Sequence, residues 1–208
     1  MLTSGKANIL SYMLPLQVLA TIRDDFVEIV GRVLAKRPEL QQELLAGYGL
    51  DQELSESDME YVLNFAQDIG FTAPVRTIVE NFKGSAFSYC FNEPNTWEGR
   101  WKGRSTHVHD TMFLFQNCNE SLSEKQKASA EAIAGHFLDF FHGEEPFPAY
   151  QAGEGGAMVY GLKGEGSVEF VQGAALENYG RRGIVPKLAE KVGLDVVSSI
   201  WDTYMATR

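Results

Sequence analysis

At 208 residues the chain is long enough for one well-packed domain or for half of a large one. A hydrophobic share of 44% and a charged share of 22% are those of an ordinary globular protein, so disorder is not the default. Eighteen basic against 28 acidic residues leave a net charge of −10, which argues against a nucleic-acid partner, because neutralising phosphates needs a basic surface.

Ile9 to Ile22 is fairly apolar, but Ser11, Pro15 and Gln17 interrupt it, and it is shorter than the ~20 apolar residues of a membrane span. It reads as an amphipathic helix, with no membrane span and no secretory leader visible, which predicts a cytoplasmic protein. Residues 1–50 read as helical. Asp24 and Asp25 serve as N-cap and first-turn charge for a run through Phe26, Ile29, Val30, Val33 and Leu34, and Pro38 predicts a break. Leu40, Leu44 and Leu45 lead into Gly47-Tyr48-Gly49, a helix stop.

Ser55-Glu56-Ser57-Asp58 offers an N-cap for a helix carrying Met59, Val62, Leu63, Phe65 and Ala66. A further helix is expected from Pro74 to Phe82. Ala86 to Phe91 is aromatic-rich, lies between Gly84 and Pro94, and predicts a short buried strand. Ser121 to Phe141 predicts a long amphipathic helix, with Ala128, Ala132, Ile133, His136, Phe137 and Phe140 near one face. An extended linker comes next at Pro146 to Tyr150, then two strands at Ala157–Leu162 and Ser167–Val171 joined by a Gly-rich turn. A final helix is expected from Pro186 to about Thr207. Cys90 and Cys118 read as reduced, partly buried thiols.

The most informative stretch runs from Tyr89 to Asn117. It holds a strand end, a loop with Trp97 and Trp101, and then His107 followed by Asp110, Phe113, Phe115, Gln116 and Asn117. This resembles the catalytic-histidine region of the type-B carboxylesterases, fungal members above all. Their histidine is followed by an acidic residue at the third position, aromatics at the sixth and eighth, and then Gln-Asn. Leu44 to Leu50 resembles the family's LL-x-x-YG-I motif, and Phe65 to Pro74, with Asp68 and Phe71, its F-x-x-D-x-x-F-x-x-P segment. Residues from roughly 40 to 150 carry the resemblance.

The resemblance implies an α/β fold: an incomplete α/β-hydrolase domain, helix-rich, with a few core strands and a small C-terminal hairpin. Residues 1–208 would be the C-terminal portion of that single domain, and His107 its general base. The implied activity is ester hydrolysis, with an ester as substrate of the parent enzyme and no cofactor.

The other parts of that chemistry are not found in the sequence. A serine esterase needs a nucleophile on a G-x-S-x-G elbow, an acid to orient the histidine, and backbone donors for the oxyanion. No G-x-S-x-G precedes His107, no Gly-Gly-Gly oxyanion motif occurs, and Gly164-Glu165-Gly166-Ser167-Val168 lies downstream and lacks the last glycine. The family's acid lies roughly a hundred residues before the histidine, which falls at or before Met1. Removing triad members costs on the order of 10⁴ to 10⁶ in turnover, so little activity is expected of this polypeptide alone. A missing N-terminal half or a hydrolase partner would supply the remainder. The alternative is a non-catalytic binding or regulatory module of α/β-hydrolase type.

His107 and His109 stand two apart, which in an extended segment puts both on one side, and with Asp110 they could seed a metal site. Further ligands are hard to find, and no metal is expected. His109 takes a position that is apolar in the family pattern. His136 reads as a core histidine and His142 as a helix-end residue. Trp97 and Trp101 read either as walls of a substrate gorge or as pins holding their loop to the domain.

Overall fold

The computed structural model describes residues 22–52, 58–99, 101–177, 179 and 183–207. They divide into two compact units, one containing residues 22–73 and 183–207, the other residues 74–177.

The first unit is helical. It contains α1 (Ile22–Val33), α2 (Pro38–Tyr48), α3 (Asp58–Gln67), a π-helical turn (Asp68–Thr72), α8 (Ile184–Val192) and α9 (Leu194–Ala206). Asp24 and Asp25 lie in the first turn of α1, and Pro38 opens α2 at its first position, where a missing N–H leaves no hydrogen bond unmade. Gly49 ends α2 in the left-handed conformation, at φ 73°, donating its N–H to Ala46 and Leu45. The core is built around Phe65, whose ring lies 5.1 Å from Phe26 and 5.5 Å from Tyr48, with Leu44 and Ile200 buried in the same cluster. Tyr48 also donates its hydroxyl to Asp68 Oδ2 at 2.8 Å, and Thr72 Oγ1 donates to Asp68 Oδ1 at 3.3 Å.

The single C-terminal helix expected from Pro186 is two helices. Gly193, at φ 88° and ψ 145°, breaks the chain between them, and Val185, Leu188, Val197, Ile200 and Tyr204 all reach one core. Pro186 sits inside the first turn of α8, where its lack of an N–H is harmless. The expected helix at Ile9 to Ile22 and the cap at Ser55 to Ser57 lie outside the described residues.

The second unit holds a three-stranded sheet of β1 (Tyr89–Phe91), β2 (Ala157–Tyr160) and β3 (Val168–Val171), in that order. β1 runs parallel to β2, Cys90 opposite Val159, and β2 antiparallel to β3, Val159 opposite Glu169. A parallel pair needs a long crossover. It contains α5 (His109–Leu114) and α6 (Glu124–Phe141); α7 (Gly173–Glu177) comes after β3, and α4 (Ala73–Asn81) leads into the unit. β1 is shorter than the strand expected from Ala86. The residues before it stay bonded, with Ala86 accepting from the Tyr150 N–H and Ser88 from that of Met158.

α6 starts at Glu124, not at Ser121, because Ser123 and Gln126 form a reciprocal capping box that fixes the first turn. Tyr89, Phe91, Phe113, Ile133 and Tyr160 form the core of this unit. Half-buried His136 places Nδ1 2.7 Å from the Tyr160 hydroxyl, and burial lowers its pKa. Cys90 is buried and Cys118 partly so, and neither forms a disulfide. Among the described residues no helix is long and apolar enough to cross a membrane.

Candidate functional site

The candidate site is the loop between β1 and α5 and the turn on which it ends. Asn95 closes the loop. Its N–H donates to the Arg104 carbonyl, its carbonyl accepts from Gly103, and its Oδ1 accepts the Trp97 N–H at 2.8 Å. Ser105, buried, donates its hydroxyl to the Phe91 carbonyl at 3.1 Å and so ties the returning chain to the end of β1. Two residues further on, the chain reaches His107.

Val108 redirects the chain beyond His107. It lies at φ 66° and ψ 0°, a left-handed conformation that is strained for a β-branched residue and typically costs about 1–3 kcal/mol. The turn separates the two histidines. His107 is exposed, whereas His109, the first residue of α5, is only 2% exposed. The expectation that both lie on one side is therefore corrected: it assumed an extended segment, and the backbone here turns at Val108.

His109 sits among three aromatic rings, with centroids 5.6 Å from Phe91, 5.6 Å from Trp97 and 5.1 Å from Phe113. Both of its ring nitrogens are buried and neither makes a hydrogen bond of good geometry, the Glu93 backbone being the polar group that faces the ring. Burial pushes its pKa down to about 4, against weaker opposing pulls from Asp110 and the Glu93 backbone, so the ring is neutral at neutral pH. Asp110 accepts the Tyr89 hydroxyl at 2.9 Å, which fixes the start of α5 on β1, and burial followed by the Asp110 charge raises the Tyr89 pKa. Of the two aromatics that come after His107 in the sequence pattern, Phe113 is in the core and Phe115 is 65% exposed.

Trp97 and Trp101 are both half-buried. Trp97 meets His109 edge-on, a contact that pins the loop. Ser167, in the downstream look-alike of an elbow, accepts the Lys163 N–H at 3.0 Å inside the β2–β3 turn. Among the described residues no three His, Cys, Asp or Glu side chains converge as a metal site would require.

Sequence reasoning missed a buried carboxylate. Glu93 lies just after β1 and is fully buried, and its pKa is raised to about 7, chiefly by that burial. The available signal was an acidic residue two positions past an apolar strand and directly before a proline.

What the loop does chemically is present one imidazole to the outside on a turn anchored from both sides. Ser105 holds the segment before it, and the aromatic cage holds His109, two residues after it.

No protein-family model matches the chain, and no curated protein sequence does. A solved structure of a PNB esterase is similar to it, with a TM-score of 0.55 at 12% identity, over 78% of this chain and 33% of that one. The fold is thus esterase-like, a partial α/β-hydrolase-like arrangement with a helix-rich body and a small sheet. The chain spans about a third of the length of that esterase.

Proposed function

We propose that this chain is the C-terminal part of a carboxylic-ester hydrolase of the type-B carboxylesterase kind, with both units belonging to one α/β-hydrolase domain. His107 is its general base. It takes the proton of a serine that attacks the ester carbonyl, then gives it to the leaving alcohol. Trp97 and Trp101, on the loop before it, line the side of the site that receives the apolar part of the ester. The serine, the acid and the oxyanion donors come from sequence beyond this chain, so the chain by itself does not turn over.

The observation that carries the reading is the placement of His107, exposed on an anchored turn at the start of a helix, in a chain whose fold is similar to part of an esterase. An isolated exposed histidine would carry no such weight without that fold. The test is hydrolysis of a short-chain chromogenic ester by the purified chain, alongside His107→Ala and a fluorophosphonate label. The expected result is neither turnover nor labelling. Turnover lost in His107→Ala together with a labelled serine would place a nucleophile inside the chain, and Ser167 would be mapped first.

A further inference from the structure

Glu93 lies two residues past β1, and its carboxylate accepts the Gly166 N–H at 2.9 Å to Oε1 and 3.2 Å to Oε2. Gly166 belongs to the turn that joins β2 to β3, so a side chain at the end of one strand holds the turn that leaves its neighbour. The approach is close on both sides of that turn. A Cβ on Gly166 would stand 2.5 Å from the Lys125 carbonyl oxygen, and one on Gly161 would stand 2.6 Å from the Glu93 nitrogen. The first turn of α6 completes the joint: Gln126 Nε2 donates to the Pro94 carbonyl at 2.7 Å, and the Ser123 hydroxyl donates to Glu165 Oε2 at 3.0 Å. The Ser129 hydroxyl is buried beside the carboxylate, near enough to favour its ionised form but outside good hydrogen-bonding geometry.

We propose that this joint is an acid-tightened latch: with Glu93 protonated the β2–β3 turn stays clasped to α6, and with Glu93 ionised the turn opens more readily. The inference is independent of the esterase reading. A neutral carboxyl still accepts from Gly166 and carries a proton that it can donate to Ser129. An ionised one keeps the acceptor role but leaves a charge in a site without water access.

The charged side chain acting on it is Glu165, from the same turn, and it repels. Lys125 contributes its backbone and Cβ at Gly166, and His109, from α5, faces the Glu93 backbone. Burial is the largest influence and raises the pKa, and Glu165 adds to it. Ser129, Gly166 and Gln126 lower it, and the balance stands at about 7.

Linkage sets the direction of the response. Opening the turn returns Glu93 to water and to its ordinary value of 4.5, so the closed form holds the proton more tightly. The opening equilibrium therefore grows as pH rises from about 4.5 to about 7, by on the order of 10²-fold in total, and is flat above that.

The experiment is hydrogen exchange of the Gly166 amide at pH ~5 and ~7.5, corrected for intrinsic rate, with the Glu93 side-chain carbon followed by NMR and Glu93→Gln as comparison. In the unmodified chain, Gly166 protection should fall on the order of 10²-fold over that range while the Glu93 carbon titrates with it. In Glu93→Gln the protection should no longer depend on pH. Three results would overturn the proposal: Glu93 titrating in the ordinary carboxylate range, Gly166 protection unchanged while Glu93 titrates, or the same fall in Glu93→Gln. Should Glu93→Gln not fold, the two measurements on the unmodified chain decide alone.

Discussion

His107 and His109 stand on opposite sides of one left-handed residue, the first exposed and the second 2% exposed in an aromatic cage. Their chemistry divides accordingly. The outer ring meets solvent, and the inner ring packs the turn against Phe91, Trp97 and Phe113.

The inner ring is a destabilising anchor. Its two buried nitrogens make no hydrogen bond of good geometry, the Glu93 backbone facing the ring from outside it, and a poorly satisfied buried polar group typically costs about 1–3 kcal/mol. His109→Phe fits a site already walled by Phe91, Trp97 and Phe113, and is expected to raise stability by about 1–2 kcal/mol at neutral pH. Urea unfolding of the two proteins measures this, and a loss of more than that amount would mean that the ring has a polar partner in solution.

The same residue shapes the response to acid. The folded pKa of His109, about 4, lies below its ordinary 6.5, so its titration costs nothing above pH 6.5 and lowers stability progressively as pH falls from 6.5 toward 4. The size is on the order of 3 kcal/mol. Glu93 acts with the opposite sign between 4.5 and about 7, so the two offset one another and the unmodified chain should show a shallow profile there. His109→Phe should expose a stability that falls as pH rises, and Glu93→Gln one that falls as pH drops. Unfolding midpoints at several pH values read both slopes, and parallel profiles for the two variants would contradict the assignment.

Val108→Gly tests the turn itself. Glycine adopts φ 66° without the strain valine carries, and because Val108 is 50% exposed little packing is lost. After the entropy penalty of glycine, a net gain of about 0.5–1 kcal/mol is expected, where a helical or extended surface site would lose stability. Chemical denaturation measures it.

Tyr48→Phe removes a hydroxyl that donates to buried Asp68 Oδ2 at 2.8 Å, beside the Thr72 hydroxyl at 3.3 Å on Oδ1, and so weakens the bonding of a buried carboxylate. A loss of about 1–3 kcal/mol is expected, and Asp68→Asn in the same background should recover part of it. A double-mutant cycle by thermal unfolding checks the coupling.

Those two residues also show what the sequence could and could not tell. Tyr48 and Asp68 were legible as members of two separate motifs, but that one donates to the other depends on a π-helical turn that no periodicity announces. The helices around Phe26, Leu44 and Phe65 were readable because apolar spacing fixes a buried face. The break at Gly193 was not, since a glycine inside an apolar pattern is compatible with a continuous helix until tertiary packing chooses otherwise. At the candidate site, His107 and the aromatics after it could be picked out through the resemblance to the type-B carboxylesterase histidine region. The burial of His109 could not, because it depends on one backbone angle at Val108, a residue type that rarely adopts it. Glu93 escaped for a related reason: its environment is assembled from Gln126, Ser129 and Gly166, which are remote in sequence.

The central claim is that His107 serves as the base of an ester hydrolase completed by sequence beyond this chain. The most direct measurement purifies the affinity-tagged chain from its native source, unmodified and as His107→Ala, and assays ester hydrolysis and fluorophosphonate labelling of the recovered material. The account predicts a labelled serine outside these 208 residues and hydrolysis that falls on the order of 10⁴-fold or more in His107→Ala. Undiminished hydrolysis in His107→Ala, or a labelled serine inside these 208 residues, would contradict it.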